Sequence, residues 1–505
     1  MITRIPKQVI EVLQKLSENK FESFIVGGCV RDLIMEREPK DWDVATKAKP
    51  DEVQKIFPDS FYENEFGTVG VKVEKFAPNG NPDREHDVVE VTTYRIESKY
   101  SDKRRPDTVK FADTLAEDLS RRDFTMNAVA LKITNYKTQS TNKPQTTNHK
   151  LQTNFEIVDP YDGQKDIAKK IIRTVGDPHE RFDEDALRMM RAVRFHAEHN
   201  FAIEQDTLAA IKKYAGHMKH IAQERIKDEL TKIILSDNAS EGIDMLQQTG
   251  LLEYIIPELE RGVGVAQNRH HIYTIYQHSI LALKHCPSKK LEVRLASLLH
   301  DIAKSQTKRG EGEFATFYNH DHVGAKVVEK ILTRLRFSKD VIEKVKLLVD
   351  NHMFYYNPEE VGDSSVRRLI AKVGLENMKD LIDVRIADRL GSGTPKAKPY
   401  KLRHLEYMID KLSTDAVSVK MLKINGNDLM KELGVKPGPI IGAILDVLLA
   451  EVIEDAAKNN REQLLARAKE LMIMDLDKLR EMAEEKIEER KEEDDEEIKK
   501  KHWVK

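Results

Sequence analysis

Residues 24–46 read FIVGGCVRDLIMEREPKDWDVAT, and their pattern indicates how the first part of the chain folds. An apolar, strand-like run ends at two glycines, helix-forming residues follow, and DWD precedes a second apolar run. Side chains at i and i+2 of an extended strand point to the same face, so Asp41 and Asp43 are expected to project together, with Trp42 turned the other way. The stretch predicts a strand, a glycine turn, a helix and a second strand.

The two aspartates raise the question of a metal site. Two carboxylates this close repel each other unless one is protonated or a cation lies between them. Mg²⁺ commonly takes one or two protein carboxylates together with substrate phosphates. The glycine turn can present backbone N–H groups and a helix N-terminus to phosphate oxygens, and Arg31 adds a cation on the same side. The alternative for an isolated DxD is a solvated strand end.

A third carboxylate stands in a later strand-like run. Glu90 lies among valines in VVEVTT, where an uncompensated charge would be costly. If this strand lies beside the DWD strand, three carboxylates converge and can hold two metal ions, one at an attacking hydroxyl and one at a triphosphate. The sequence then favours a phosphoryl-transfer site over an ordinary surface.

The rest of the chain divides by its pattern. Residues 1–20 have the apolar spacing of an amphipathic helix, and further strand-like runs occupy 68–76, 87–95 and 127–133. The polar stretch 134–154 cannot bury a core and is expected to be a flexible loop. From about residue 164 the apolar spacing is helical nearly to the end. We predict five segments: residues 1–163, 164–265, 266–415, 416–480 and a charged tail, 481–505.

Composition limits the class of protein. The 505 residues suggest several domains, and 40% hydrophobic with 33% charged content predicts a soluble protein. The longest apolar run, around residues 440–450, is far short of the roughly 20 residues that cross a bilayer. Residues 1–30 lack the pattern of a secretory signal. Two cysteines, Cys29 and Cys286, fit a reducing cytosol. We therefore expect a cytoplasmic protein that does not enter membranes.

Several separate motifs agree in order and spacing. GGCVRD, DWDVAT, Glu90 with VTTYR, and RRDFTMNA at 121–128 together resemble the class II tRNA nucleotidyltransferases, the family of the CCA-adding enzymes and bacterial poly(A) polymerases. The resemblance implies an α+β fold, in which a nucleotidyltransferase domain with a mixed sheet and helices is followed by all-α domains. It also implies that Asp41 and Asp43 are the catalytic, Mg²⁺-binding pair, with Glu90 as third carboxylate. The nucleotide contacts that it implies here are Gly27, Gly28, Arg31, Arg122, Asp123 and Asn127.

The resemblance also implies a protein template for the nucleotide. DEDALRMMRAVRF, residues 183–195, is helical by its spacing, which puts Asp185 and Arg188 on one face; a surface ion pair is the alternative. In the resembled family, EDALR supplies the Asp and Arg that read the incoming base, one accepting and the other donating hydrogen bonds. Such a pair suits cytosine or adenine and rejects guanine and uracil. Arg191 and Arg194 extend a basic face that contacts the nucleotide or the RNA end, or is simply solvated. The run ERIKDELTKII, 224–234, is expected to support the template.

A second constellation begins after residue 270. A lone histidine on an apolar helix is usually a core residue, but here four histidines and two aspartates follow in the order H…HD…H…H…D. Imidazole and carboxylate are ordinary ligands of first-row transition metals. The order resembles the HD phosphohydrolase domain, which implies hydrolysis of a phosphate ester with an ion such as Ni²⁺ or Mn²⁺. The core ligands that it implies are His278, His300, Asp301 and Asp388, with His320 and His352 for a second metal and Asp383 as a less favoured ligand.

The C-terminal part, 424–471, resembles the tRNA-binding end of CCA-adding enzymes. Lys423, Lys431 and Lys436 can meet phosphates there, or can be solvated. The tail from Glu481 is a charge run, expected to be a solvated helix or disordered.

Three functions are open at this point. The first is addition of CMP and AMP to the 3′ end of tRNA, with ATP, CTP and tRNA as partners, in a chain that also carries the HD activity. The second is a poly(A) polymerase that uses ATP alone on less specific RNA. The third, disfavoured because both ligand sets are present, is a non-catalytic RNA-binding protein. The sequence leaves the oligomeric state open.

Overall fold

A computed structural model gives the structure of the protein. It describes residues 5–64, 67–76, 86–97, 109–134, 155–268, 272–394, 396–414, 422–434, 437–454, 458–482 and 499–504. The predicted loop lies, from residue 135 on, outside the described residues, as do Lys436 and most of the charged tail. None of the helices in the described ranges is long and apolar enough to cross a membrane.

A seven-stranded sheet dominates the N-terminal part, in the order β3-β4-β5-β2-β1-β8-β9. Strands β2 and β5 are parallel, and every other neighbouring pair in this sheet is antiparallel. A separate hairpin pairs β6 with β7. The strands are β1 (Ser23–Val26), β2 (Trp42–Thr46), β3 (Ser60–Asn64), β4 (Thr68–Val73), β5 (Asp87–Thr93), β6 (Arg95–Glu97), β7 (Val109–Phe111), β8 (Ala130–Ile133) and β9 (Phe155–Val158).

Alternating side chains cover the two faces of this sheet differently. Ile25, Val44 and Val91 point into one apolar core, while Phe24 and Ala45 belong to a smaller cluster on the opposite face. The period of two in the strand sequences dictates this division. The helices of this part are α1 (Lys7–Glu18), α2 (Gly28–Ile34), α3 (Pro50–Ile56), α4 (Leu115–Ser120) and α5 (Gly163–Lys169).

The predicted element boundaries need small corrections. The first strand ends at Val26, because Gly27 turns the chain with a φ of 82°. The run 127–133 becomes a strand only from Ala130, because Thr125–Asn127 forms a 3₁₀ turn. Such ends depend on contacts that the local pattern does not contain.

Among the described residues beyond β9, the regular elements are helices apart from a two-residue parallel pair, β10 (Ile171–Ile172) and β11 (Ala202–Ile203). One continuous apolar core runs from Phe124 through the middle helices to Leu412, and a separate core is formed by buried side chains such as Leu422, Leu448 and Leu479. The middle helices are α6 (Pro178–Glu184), α7 (Leu187–His199), α8 (Gln205–Tyr214), α9 (Gln223–Leu235), α10 (Ala239–Gln248), α11 (Leu252–Ile255), α12 (Pro257–Glu260), α13 (Ile275–Lys284), α14 (Leu291–Leu299), α15 (Lys304–Thr307), α16 (His320–Arg334), α17 (Lys339–Asn351), α18 (Asp363–Val373), α19 (Leu375–Gly391) and α20 (Tyr400–Thr414). The last three are α21 (Gly426–Leu433), α22 (Pro439–Glu454) and α23 (Arg461–Leu471).

The prediction of one helix over 183–195 is wrong. Helix α6 ends at Glu184, and α7 begins at Leu187. Between them Asp185 is extended, with φ −138° and ψ 104°, and its carboxylate accepts a hydrogen bond from the Leu187 backbone N–H at 3.0 Å. An aspartate whose side chain bonds the backbone N–H two residues on competes with the helical hydrogen bonds and interrupts the run, and helical spacing alone does not reveal it.

Candidate active sites

Asp43 and Glu90 lie side by side on the sheet. They are register partners on the parallel strands β2 and β5, so both side chains leave the same face. Trp42, which is 3% exposed, points into the core on the other face. Asp43 and Glu90 are half-buried, and Asp41 is exposed in the bend just before β2. The strand pairing therefore brings two of the three predicted carboxylates together and leaves Asp41 at their edge.

The glycine turn packs against the same carboxylate. A Cβ atom on Gly27 would lie 2.7 Å from Arg122 Nη1 and 3.3 Å from Asp43 Oδ2, so it would displace the end of the Arg122 side chain, and the φ of 82° also favours glycine. The guanidinium of Arg122 is held by Asp118, 3.4 Å from Nη2, and by the Asn127 carbonyl, 3.4 Å from Nη1. Helix α2 begins at the next residue, Gly28. A cation, a carboxylate and a helix N-terminus thus meet at one turn.

A chain of polar contacts joins the sheet to the helical part. Arg31 is 8% exposed and donates from Nη1 to Asn127 Oδ1 at 2.9 Å. Asn127 donates in turn to Asp123 Oδ1 at 3.2 Å, and Asp123 Oδ2 accepts from Arg191 at 2.6 Å. Burial alone would raise the pKa of Asp123, but Arg191 and Asn127 outweigh it and lower that pKa to about 2. These contacts hold four predicted nucleotide-binding side chains, those of Arg31, Asn127, Asp123 and Arg191, in fixed positions relative to one another.

Arg194 is buried and not solvated. Its side chain pairs with Glu229 of α9 at 3.2 Å, and its guanidinium carbon lies 4.4 Å from the centre of the Phe195 ring. Arg31 and Arg191 approach the same ring at 5.3 and 5.5 Å. Arg194 therefore serves the packing between α7 and α9, and the alternative of a solvated basic face is wrong for this residue.

The two predicted template residues lie at the junction of α6 and α7, each with its own partner. Asp185 Oδ2 accepts from Arg225 Nη2 of α9 at 2.6 Å. Arg188 is 7% exposed and its guanidinium pairs with Glu184. The sequence pattern did not single out Arg225, Glu184 and Glu229 as partners, although the spacing of four in ERIKDE places Arg225 and Glu229 on one helix face. Helix α9 thus contacts Asp185 through Arg225, and the role of this pair as a template stays a prediction.

The second constellation comes together in the middle helices. His278 lies in α13, His300 and Asp301 follow the end of α14, and Asp388 lies in α19. His278 Nε2 is 3.1 Å from Asp301 Oδ2, 3.4 Å from Asp388 Oδ1 and 2.9 Å from His300 Nε2. His320 and His352 approach the other oxygen of Asp301, at 3.3 and 3.7 Å.

The cluster has the geometry of a metal site. Two groups of three residues, His278-His300-Asp301 and Asp301-His320-His352, share Asp301. Within each group, the three ligand atoms lie within 4.8 Å of one another. His300, His320 and His352 each place Nδ1 at hydrogen-bond distance from a backbone carbonyl, at 2.9, 2.8 and 2.7 Å. In metal sites a bond of this kind fixes the ring and directs Nε2 toward the ion. Nε2 of His320 and of His352 is buried and faces Asp301 Oδ1, so a cation between them could take one ligand atom from each of the three residues. Asp383 belongs to neither group.

Charge around the cluster is balanced by neighbouring cations. Lys304 Nζ lies 2.6 Å from Asp301 Oδ2, and Arg385 Nη1 lies 2.9 Å from Asp388 Oδ2. Burial lowers the pKa of His300, but Asp301 outweighs it and raises the pKa to about 10, so that a metal ion would displace a proton there. The cluster opens into a cavity of about 470 Å³ that Lys304 and Arg385 also line.

Three family models match the chain. They are "Poly A polymerase head domain" over residues 23–173, "Probable RNA and SrmB- binding site of polymerase A" over 200–262, and tRNA nucleotidyltransferase domain 2 over 312–468. None of these three describes an HD domain. The first covers the sheet with its paired carboxylates, and the third extends across the predicted boundary at 415.

Whole proteins match over nearly the full chain. The CCA-adding enzyme of Ligilactobacillus salivarius is 32% identical over 468 residues, covering 92% of this chain and 96% of the relative. That of Limosilactobacillus reuteri is 32% identical over 465 residues, covering 91% and 95%. Among solved structures, the Bacillus stearothermophilus CCA-adding enzyme in complex with CTP superimposes with a TM-score of 0.57 at 27% identity, covering 92% and 96%.

Proposed function

The chain belongs to the CCA-adding enzymes of the class II tRNA nucleotidyltransferases, and on this premise we propose that it adds CMP and AMP to the 3′ end of tRNA. The observation that carries the proposal is the pairing of Asp43 with Glu90 beside the turn at Gly27. A carboxylate pair next to a helix N-terminus and an arginine is what transfer of a nucleotide from a triphosphate requires.

The donor set fits Mg²⁺, which the nucleotidyltransferase family implies. Asp43 and Glu90 offer carboxylate oxygens on one face, and Asp41 offers a third carboxylate at the strand end. Oxygen ligands of this kind are those that Mg²⁺ prefers. When bound there, Mg²⁺ neutralises the charge that develops on the transferred phosphoryl group.

The chain's own residues supply positioning. Arg122 and the backbone at Gly27 and Gly28 face the triphosphate, and Arg31 is fixed beside them through Asn127. The RNA 3′-hydroxyl forms a new bond to the α-phosphate, the bond between the α- and β-phosphates breaks, and pyrophosphate leaves. Positioning of this kind accounts for most of the catalysis in phosphoryl transfer.

Base selection belongs to Asp185 and Arg188. An acceptor-only carboxylate and a donor-only guanidinium match the mixed edge of cytosine or adenine. Arg225 and Glu184 hold these two side chains at the junction of α6 and α7. A base that leaves such groups unpaired is rejected strongly, because their desolvation is not compensated.

Incubation of the full chain with tRNA that lacks its terminal CCA tests the proposal. With radiolabelled CTP and ATP we expect two cytidylates and one adenylate to be added, and no uridylate or guanylate. Long adenylate tails without CTP incorporation would reject CCA addition in favour of the poly(A) polymerase. No incorporation with any nucleotide would support the non-catalytic RNA-binding protein.

A second activity is favoured by the buried cluster around Asp301. Histidine nitrogens and carboxylate oxygens in two groups that share one aspartate fit first-row transition metals such as Ni²⁺ or Mn²⁺. His278, His300, Asp301 and Asp388 would hold one ion, and Asp301, His320 and His352 a second. With ions held by these residues, the site would supply Lewis-acid activation of water for hydrolysis of a phosphate ester. Lys304 and Arg385 line the cavity and can bind the phosphate.

Phosphatase and cyclic phosphodiesterase assays with Ni²⁺ or Mn²⁺ test this second activity. We expect turnover that is lost in Asp301→Ala and retained in Asp43→Asn, because the two sites use different residues. Absence of turnover with every divalent ion tried would contradict the hydrolase and leave nucleotide addition untouched.

A further inference from the structure

An aromatic side chain stands in line with the paired carboxylates. Phe61 on β3 is the register partner of Gly70 on β4, Gly70 is the partner of Glu90 on β5, and Glu90 is the partner of Asp43 on β2. Register partners point to the same face of a sheet, so Phe61 shares the face of the carboxylates. The next residue, Tyr62, points to the opposite face.

The ring of Phe61 leans inward across Gly70. A Cβ atom on Gly70 would lie 2.5 Å from Cζ of Phe61 and 2.9 Å from both Cε atoms, so the ring occupies the space that any larger residue would fill. Phe61 is nevertheless 41% exposed. Strands are about 4.8 Å apart, which puts β3 about 10 Å from β5. A flat apolar surface is therefore open to solvent beside Glu90.

The position of this surface separates it from the nucleotide. The turn at Gly27 follows β1, which lies beyond β2, whereas β3 lies on the other side, beyond β5. The triphosphate and the incoming base are assigned to the side of Gly27 and of Asp185. The other substrate, the 3′ end of the RNA, is therefore expected on the side of Phe61.

We infer that Phe61 is the platform on which the 3′-terminal base of the RNA stacks, which orients the attacking hydroxyl toward Asp43 and Glu90; this inference rests on the proposed nucleotide addition. Every base presents a π-face, so an aromatic ring holds an unpaired terminal nucleotide without regard to its identity. That tolerance suits a strand end whose last base changes as nucleotides are added. Gly70 is required because a side chain at this position would push the Phe61 ring away from the sheet.

Steady-state kinetics with tRNA that lacks CCA test the assignment. Phe61→Leu should raise KM for the RNA about five-fold or more, the lower end of what stacking one base on an aromatic ring contributes, and leave KM for CTP unchanged. Phe61→Tyr should restore the KM for the RNA. The matched control is Tyr62→Leu, which removes a 47% exposed ring from the opposite face of the same strand and should change neither constant.

A second variant keeps the ring and moves it. Gly70→Ala places a methyl group where the ring lies and should raise KM for the RNA in the same way as Phe61→Leu. An equal effect of Tyr62→Leu, or a rise of KM for CTP instead of RNA, would overturn the inference. A wild-type dimer that dissociates in Phe61→Leu would also overturn the inference. Phe61 would then serve the pairing of exposed edge strands between two chains.

A binding measurement separates this inference from the proposed function. A tRNA with 2-aminopurine as its 3′-terminal base should lose fluorescence on binding to the wild-type chain, because stacking quenches the base, and should stay bright with Phe61→Leu. Quenching without any nucleotide addition would contradict the proposed function alone. Equal fluorescence with the wild-type chain and with Phe61→Leu would show that the terminal base does not stack on Phe61, even if the enzyme adds nucleotides.

Discussion

Asp43 and Glu90, far apart in the chain, are register partners on neighbouring parallel strands and share one face of the sheet. Trp42 and Val91 bury the opposite face in the core, which fixes the direction of both carboxylates. A one-residue slip of either strand would turn its carboxylate into apolar surroundings, at high cost. The register of β2 against β5 is therefore tied to the stability of the sheet itself.

Removal of the charge on Asp43 should abolish nucleotide addition. Asp43→Asn keeps the volume of the side chain and loses its affinity for Mg²⁺, and we expect a fall of at least about 100-fold in the rate of CMP incorporation. Asp59→Asn, which changes a 77% exposed carboxylate in the same domain, is the control. Incorporation of CMP by Asp43→Asn at the rate of the control would show that this carboxylate takes no part in nucleotide addition.

Gly27→Ala should impair both stability and nucleotide binding. Gly27 has a φ of 82°, and an added Cβ would crowd Arg122 and Asp43. Gly264→Ala is a matched control, since Gly264 has a φ of 71° but no atom within 4 Å of the added Cβ. We expect a loss of about 1 kcal/mol in unfolding free energy for the control and more for Gly27→Ala. Only Gly27→Ala should raise KM for CTP; equal kinetics of the two would contradict the crowding.

The ion pair of Asp123 with Arg191 should stabilise the fold in a pH-dependent way. The pKa of Asp123 is depressed in the folded state, to about 2 from an ordinary 3.8, so its contribution is complete above pH 4 and is lost as the pH falls toward 2. The difference corresponds to about 2 kcal/mol. Urea denaturation between pH 5 and pH 3 should show a steeper loss for wild type than for Asp123→Asn. Asp113→Asn, at an 86% exposed carboxylate, should follow wild type.

Arg225 should contribute to the choice of base without contacting it. Arg225→Gln releases Asp185, whose carboxylate it holds at 2.6 Å, and leaves the acceptor free to turn away from the base. We expect discrimination against UTP and GTP to fall about ten-fold, which corresponds to roughly 1.4 kcal/mol. Lys227→Gln, on the same helix and paired with Asp228, should leave it unchanged. Unaltered misincorporation in Arg225→Gln would show that Asp185 needs no support.

Metal removal should destabilise the middle helices. The cluster at Asp301 buries its ligands, so a bound ion adds RT ln(1 + [L]/Kd) to the stability of the folded chain, about 2.7 kcal/mol at a hundred-fold excess over Kd. We expect a chelator to lower Tm, and Ni²⁺ or Mn²⁺ to restore it. Asp301→Ala should lose the bound metal by elemental analysis, whereas Asp383→Asn, outside both groups, should keep it. A chelator-insensitive Tm together with a metal-free wild type would contradict the metal site.

Short-range patterns in the sequence are enough to predict the local elements of both sites. Gly27 must start a turn because two glycines end an apolar run, and the alternation in WDVAT points Trp42 away from Asp43. The apolar run before His300 puts that residue and Asp301 at a helix end. These features depend on residues close in the chain, where steric limits and the periods of helix and strand decide the outcome.

Which of these local elements lie next to each other depends on the packing of the whole chain. The register of Glu90 beside Asp43, the partnership of Asp185 with Arg225, and the interruption of the helix at Asp185 all depend on segments brought together by packing. The same holds for the sharing of Asp301 by two ligand groups and for the ring of Phe61 over Gly70. Strand order and ion pairs between distant helices are set by the burial of whole faces, a property of the complete core that no local pattern carries.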